Sequence, residues 1–275
     1  MRCEVREMSN QKEKLNKLSA VLGLKRRVVG VRFLLIEKEF DECPAEKLDT
    51  RITYCRMVAH AMEGKHIKAT NENFTCQGGP EMLGMRDLLN YEKSGKQFDT
   101  FRLYGDMAIA REVQSKLLPI DHHIYGVELA PLEELEKADV VIMICDTWQA
   151  MRVLQGYTHQ FGMAENIGMI GNQGICSDLT ARPYMNNDIN ISLLCQGARL
   201  STNSSDGEVG VGFPTKKFWF TVDGIFDTIN SATDDRRKRE IAERISEAGV
   251  TLDEELEFGF FYANYPERYP VEDYK

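Results

Sequence analysis

Hydrophobic and polar positions along the chain follow two periods, one typical of strands and one typical of helices. Short β-branched runs at 28–35 and 140–145 predict buried strands. Apolar residues three or four positions apart predict helices over 10–24 and 147–161. Because strands and helices alternate along most of the chain, the predicted fold class is α/β.

The chain contains an internal repeat built around cysteine. Cys-Gln-Gly-Gly at 76–79 is matched by Cys-Gln-Gly-Ala at 195–198. A second cysteine precedes each copy, Cys55 by 21 residues and Cys176 by 19 residues. Self-similarity of this kind predicts two copies of one structural unit.

The repeat extends beyond the cysteines. The paired valines at 28–29 align with those at 140–141. A predicted strand at 98–104 and the helix that follows it to residue 117 align with 208–230. We therefore predict two similar α/β halves packed with pseudo-twofold symmetry, followed by a C-terminal helix and an aromatic tail, in one compact domain. The predicted segments are residues 1–120, 121–232 and 233–275.

Composition narrows the functional classes. The chain has 34 Lys and Arg against 43 Asp and Glu, a net charge of −9, which argues against nucleic acid or anionic lipid as a partner. No apolar run approaches the ~20 residues of a membrane span, and residues 1–25 show no signal-peptide core. Seven cysteines, an odd number spread along the whole chain, argue against a disulfide framework and favour a reducing, cytoplasmic location.

The four repeat cysteines are candidate metal ligands. Cys55, Cys76 and Cys176 are predicted near helix starts, where the helix dipole favours a thiolate. Two copies about a twofold axis would bring these three and Cys195 together, and four close thiolates without a cation would repel one another. A four-cysteine set fits an iron–sulfur cluster or zinc, and its long gaps favour a [4Fe–4S] cluster.

Three other interpretations remain open. Cysteines are often plain core residues, which is the interpretation for Cys3, Cys43 and Cys145 and an alternative for the other four. Cys76 could be a helix-activated nucleophile of a thiol enzyme. A metal-free protein could instead bind a small ligand in a cleft between the halves. The candidate cleft residues are Gln77, Gly78, Gly79, Trp148, Gln149, Gln196, Gly197 and Arg199.

Several segments together resemble a known family. They are the strand at 28–35, Thr-Tyr-Cys at 53–55, the cysteine turns at 76–79 and 195–199, the strand start at 140–141, Gln-Ala-Met-Arg at 149–152, and Cys-Ser-Asp at 176–178 with Pro-Tyr at 183–184. Over about residues 15–230 the chain resembles the archaeal and bacterial family named domain of unknown function one hundred and sixty-nine. The resemblance implies an anaerobic setting and assigns no activity.

These observations lead to one expected function. We expect a cytoplasmic redox protein, an oxidoreductase or electron carrier, that holds an iron–sulfur cluster through Cys55, Cys76, Cys176 and Cys195. Its expected partners are a small-molecule substrate or a redox protein, and the seven aromatic residues between 258 and 274 are compatible with a homodimer.

Overall fold

A computed structural model describes residues 2–253 and 255–259, with side chains from residue 10 onward. Its strands are β1 (Val29–Leu34), β2 (Glu46–Lys47), β3 (Ile67–Thr70), β4 (Gly126–Pro131), β5 (Val140–Asp146), β6 (Asn190–Ser192) and β7 (Glu208–Pro214). They form one seven-stranded sheet in the order β2-β3-β4-β1-β5-β7-β6. The predicted mixed α/β class is confirmed.

Helices occupy about half of the described chain. They are α1 (Arg2–Leu22), α2 (Glu37–Glu42), α3 (Tyr54–Met62), α4 (Gly78–Met82), α5 (Asn90–Lys93), α6 (Lys96–Thr100), α7 (Met107–Lys116), α8 (Thr147–Phe161), α9 (Arg182–Asn186), α10 (Gln196–Thr202), α11 (Thr215–Asp227), α12 (Ile229–Ala232) and α13 (Asp235–Ala248). A π-helix spans Gly174–Ala181, and short 3₁₀ turns span Asn71–Asn73 and Leu132–Glu134. The predicted C-terminal helix corresponds to α13, and the aromatic tail from residue 260 onward lies outside the described residues.

Pairing in the sheet is mainly antiparallel. β1 pairs antiparallel with both β4 and β5, with Val31 opposite Leu129 and Val140. β3 pairs antiparallel with β4, β6 pairs antiparallel with β7, and β2 runs parallel to β3 at one edge. Strands β1, β4 and β5 are almost entirely buried, which accounts for their nearly continuous apolar sequences.

The chain forms two compact units. The first contains the described parts of residues 1–25, 146–164 and 216–275, and the second contains 26–145 and 165–215. The second unit therefore contains the sheet and all four repeat cysteines. The predicted boundaries at 120 and 232 mark copies of a sequence repeat, whereas these units reflect contacts in space.

The predicted strand over 98–104 is wrong. Residues Lys96–Thr100 form helix α6, which begins after Gly95 in a left-handed conformation with φ of 78°. Gln97 and Phe98 are both buried and residues 99–103 are all exposed, so burial does not alternate from residue to residue as it would in a half-buried strand. The helix predicted after this segment is confirmed as α7.

A capping box fixes the start of α8 in the first unit. The Asp146 carboxylate accepts a hydrogen bond from the Gln149 backbone N–H at 2.8 Å, and the Gln149 side chain accepts one from the Asp146 N–H at 2.8 Å. This reciprocal pairing satisfies two backbone donors that a helix start leaves free. The helix predicted over 147–161 is therefore confirmed at both ends.

Helices α8 and α11 of the first unit meet at a pair of glycines. A Cβ placed on Gly224 would lie 2.2 Å from the backbone oxygen of Gly156. We expect Gly224→Ala to lower the free energy of unfolding by about 2 kcal/mol, because the helices must move apart. Urea unfolding measures this change, with Gly207→Ala as control because a Cβ there meets nothing within 4 Å. Equal losses in the two variants would contradict the prediction.

No helix in the described portion of the chain combines the length and apolar character that crossing a membrane requires.

Candidate functional site: a pocket lined by four cysteines

The structure brings the four repeat cysteines to one pocket in the second unit. Cys55, Cys76, Cys176 and Cys195 all line a cavity of about 480 Å³. They come from four separate segments: α3, the turn before α4, the π-helix, and the turn before α10. We call these residues the pocket cysteines. Cys43 and Cys145 are buried elsewhere, and the side chain of Cys3 lies outside the described residues.

Cys55 is held at the first turn of α3. The Thr53 hydroxyl accepts a hydrogen bond from the Arg56 N–H at 3.2 Å and caps the helix. The buried Tyr54 hydroxyl lies 3.2 Å from the Thr180 hydroxyl of the π-helix. Because this hydroxyl contact links α3 to the π-helix, it fixes the position of Cys55 relative to the helix that carries Cys176.

Cys195 follows a tight turn at the end of β6. The Ser192 hydroxyl donates to the Asp178 carboxylate at 2.9 Å, and the Leu194 N–H donates to the Ser192 hydroxyl at 3.1 Å. Leu194 has a φ of 65°, an uncommon backbone conformation for a side chain of this size. Gly174 permits the close approach, because a Cβ there would lie 2.7 Å from the Cys195 nitrogen.

Cys76 precedes a similarly crowded turn. A Cβ on Gly79 would lie 2.6 Å from the Phe74 ring and 3.2 Å from the Cys76 sulfur. A glycine therefore permits close packing beside each of these cysteines, Gly79 of the same turn beside Cys76 and Gly174 of another segment beside Cys195. Gly197 of the second Cys-Gln-Gly has no such role, because a Cβ there would meet nothing within 4 Å.

The Cys195 sulfur is set up to carry a negative charge. It caps α10 by accepting a hydrogen bond from the Ala198 N–H at 3.4 Å. A hydrogen bond from the Cys55 thiol, with further bonds from the backbone N–H groups of Gly174, Ala198 and Gly197, lowers the pKa of Cys195 to about 5. The same contact raises the pKa of Cys55 well above its ordinary value, and burial raises it further. Cys55 is therefore the thiol donor and Cys195 the thiolate acceptor.

Cys176 stays protonated beside this pair. Burial is the largest cause that raises its pKa well above the ordinary value, and the charges of Cys76 and Cys195 raise it further. A second thiolate in the pocket is therefore unfavourable, because no cation offsets its repulsion by the first. Among residues 2–253 and 255–259, no three His, Cys, Asp or Glu side chains are already arranged to hold a metal ion.

The rest of the pocket lining includes residues that sequence patterns did not indicate as site residues. It contains Gln97, Phe98, Phe101 and Leu103 from the region of α6, together with Gln173 before the π-helix and Leu200 of α10. The sequence pattern places residues 98–104 in a strand of the repeat and gives none of these side chains a role in a site. Gln173 lies three residues before Cys176, and no pattern distinguished it.

Four of the five predicted cleft residues in the cysteine turns at 76–79 and 195–198 line the pocket, and the fifth does not. Gly78, Gly79, Gln196 and Gly197 line the pocket. Gln77 is exposed and accepts a hydrogen bond from the Gln97 side chain at 2.8 Å.

The other predicted cleft residues have partners elsewhere. Arg199 donates to the backbone oxygens of Leu193 at 2.7 Å and Ser205 at 2.8 Å, so it fixes the loops around α10. Trp148 and Gln149 lie in the first unit, where the Arg237 guanidinium stacks 4.7 Å from the Trp148 ring and Gln149 donates to the Gly23 oxygen at 2.8 Å.

Comparison with known proteins gives a family and a relative. The sequence profile of the DUF169 family, described as uncharacterised ArCR, matches residues 17–224. An uncharacterised protein of Methanocaldococcus jannaschii is 26% identical over 222 residues, which cover 80% of this chain and 95% of the relative. No solved structure matches. The pocket cysteines all fall within the matched residues.

Proposed function

Since the chain belongs to the DUF169 family, whose description assigns no activity, we propose a function from its pocket: the pocket cysteines hold an iron–sulfur cluster. The observation that carries this proposal is that four cysteines from four separate segments line one cavity. The donor set matches a four-cysteine cluster, and the lowered pKa of Cys195 favours the thiolate form that a metal ligand needs. A cluster so held would exchange electrons with a redox partner protein or a small molecule.

The protonation of the pocket cysteines in the metal-free protein is consistent with a site in which bound iron replaces the thiol protons. Four thiols cannot all ionise at close range, so the Cys55 proton is shared with the Cys195 sulfur. Iron would replace that proton and the protons on the remaining thiols, because ligating cysteines are deprotonated. Backbone N–H groups would continue to donate to Cys195, and such hydrogen bonds tune the reduction potential of a cluster.

Anaerobic reconstitution tests the proposal directly. The full-length protein, supplied with ferrous iron and sulfide under reducing, oxygen-free conditions, is expected to turn brown and retain about four iron atoms per chain after desalting. Zinc would give a colourless protein with about one metal ion per chain. A colourless, iron-free protein after reconstitution would reject the cluster.

A second candidate is metal-free thiol chemistry, and the hydrogen bonds around Cys195 favour it. The stabilised thiolate belongs to Cys195 at the pocket wall, whereas the sequence had indicated Cys76 as the nucleophile. A thiolate held by backbone N–H donors and exposed to a cavity is the arrangement of a reactive cysteine.

Alkylation of the metal-free protein measures this reactivity. With a pKa of about 5, Cys195 should react with iodoacetamide at a nearly constant rate between pH 8 and pH 6. An ordinary thiol of pKa about 8.5 is only about 0.3% ionised at pH 6, but its thiolate is intrinsically about 30-fold more nucleophilic than one of pKa about 5. Cys195 should therefore react about tenfold faster than such a thiol at pH 6. Cys55→Ala removes the largest cause of the low pKa and should shift the profile to higher pH. A Cys195 rate that falls like that of a small-molecule thiol would contradict the assignment.

We also propose that the sheet was built from two copies of one unit related by a pseudo-twofold axis. Outward from the antiparallel β1–β5 pair, the strand order is β1-β4-β3 on one side and β5-β7-β6 on the other. A cysteine precedes and another follows both β3 and β6. In this alignment β4, rather than residues 98–104, is the counterpart of β7. A crystal structure in which a rotation of about 180° fails to superpose these strand triplets would reject the proposal.

A further inference from the structure

The pocket beside the sulfurs has the size and lining of a ligand site. Its volume of about 480 Å³ lies within the range of small-molecule pockets. Phe101 and Leu200 line it and remain 65% and 72% exposed, which is unusual for large apolar side chains that face a cavity. Phe98 and Leu103 extend the same apolar wall. An apolar body placed here would remove this surface from water.

Two glutamines at the pocket wall lack hydrogen-bond partners for their oxygens. Gln97 is 6% exposed and Gln173 is 8% exposed, and the Oε1 atom of each is buried without a partner. The Gln97 nitrogen is already used, because it donates to Gln77 at 2.8 Å. A buried acceptor without a donor has lost its hydrogen bonds to water and gained none in exchange, so two at one pocket call for an explanation.

We propose that this pocket binds a small neutral organic molecule that combines an apolar ring or chain with a terminal N–H donor group, such as a carboxamide. The apolar part lies against Phe101, Leu103 and Leu200. The donor group satisfies the oxygens of Gln97 and Gln173, each amide turning toward the ligand about its broad terminal torsion. This inference shares its pocket with the proposed cluster and deepens that proposal by naming the molecule class that would lie beside the sulfurs.

The two unpartnered glutamine oxygens argue against an anionic ligand. The free acceptors are both oxygens, which attract donors and repel carboxylates. A donor group on the ligand is therefore favoured over an acceptor of the same shape.

Benzamide and acetophenone form a matched pair of probes for this inference. They have the same shape and neither is charged, but acetophenone has a methyl group where benzamide has an N–H₂ donor. In titrations of the metal-free full-length protein followed by NMR, we expect benzamide to bind with a Kd of about 1 mM and acetophenone at least about tenfold more weakly. Equal affinities, or no saturable binding of benzamide, would overturn the inference.

Variants locate the binding to the two glutamines. Gln97→Leu and Gln173→Leu should each weaken benzamide binding about tenfold and leave acetophenone unchanged. Gln114→Leu is the matched control, because Gln114 is 6% exposed and has an unpartnered oxygen but does not line the pocket. Benzamide affinity that is lost in the control, or kept in both pocket variants, would overturn the inference. The probe pair on the unaltered protein decides the question if a variant fails to fold.

The two proposals fail independently. Benzamide binding is measured on metal-free protein, whereas the cluster is measured by iron content and visible absorption after reconstitution. Benzamide binding by a protein that retains no iron after reconstitution would support the ligand site and reject the cluster. A protein that turns brown on reconstitution, but whose metal-free form binds both probes equally, would support the cluster and reject the ligand site.

Discussion

Alanine at any one of the pocket cysteines is expected to abolish the retention of about four iron atoms per chain after anaerobic reconstitution. Each cysteine would supply the sole protein ligand to one iron, and each comes from a segment that offers no second cysteine nearby. Loss of one ligand leaves an iron open to water, so the four-iron form is not held. Iron and sulfide analysis with visible absorption measures the result.

Two other cysteines provide matched controls. Cys43 and Cys145 are 6% and 2% exposed and lie outside the pocket wall, so Cys43→Ala and Cys145→Ala remove buried sulfurs without touching the site. These variants should keep the full iron content. Circular dichroism of every metal-free variant separates loss of iron from loss of fold. If the controls lose iron as readily as the pocket variants, iron retention reflects the general fold and the assignment of ligands is wrong.

Local sequence patterns predicted much of the secondary structure because the responsible interactions are local. The runs at 28–35 and 140–145 are continuous and apolar because β1 and β5 are central and buried on both faces. Asp146 predicts the start of α8 because a capping side chain acts on the next three residues. The strand prediction for residues 98–104 failed because a seven-residue segment that mixes aromatic and polar side chains fits a strand or a short helix almost equally well.

The sheet order and the pocket residues other than the cysteine turns could not be predicted in the same way. Which strands lie side by side depends on long-range packing, and β4 pairs with β1 across almost 100 residues of chain. The cysteines were found because the repeat marked them. Gln97 and Phe101 carry no motif, and they reach the pocket through the placement of α6, which no local pattern encodes.

A buried carboxyl near the site is expected to make stability depend on pH. Glu81 in α4 is 1% exposed, and its Oε2 atom has no hydrogen-bond partner. Burial, with a smaller contribution from the charge of Glu92, raises the pKa of Glu81 to about 7 from 4.5, against opposing effects of Arg86 and the Gln114 side chain. Folding therefore favours the protonated form. The resulting contribution to stability is fully present below pH 4.5 and is lost as the pH rises through about 7.

Glu81→Gln should remove this dependence, because glutamine has nearly the same shape and does not ionise. The 2.5-unit difference between the two pKa values corresponds to about 3 kcal/mol, so the variant should be more stable than the parent by about that amount at pH 8 and by almost nothing at pH 4. Urea unfolding of the metal-free protein at both pH values measures the difference, with the exposed Glu136→Gln as control. A gain of equal size at both pH values would mean that packing, rather than the ionisation of Glu81, separates the two proteins.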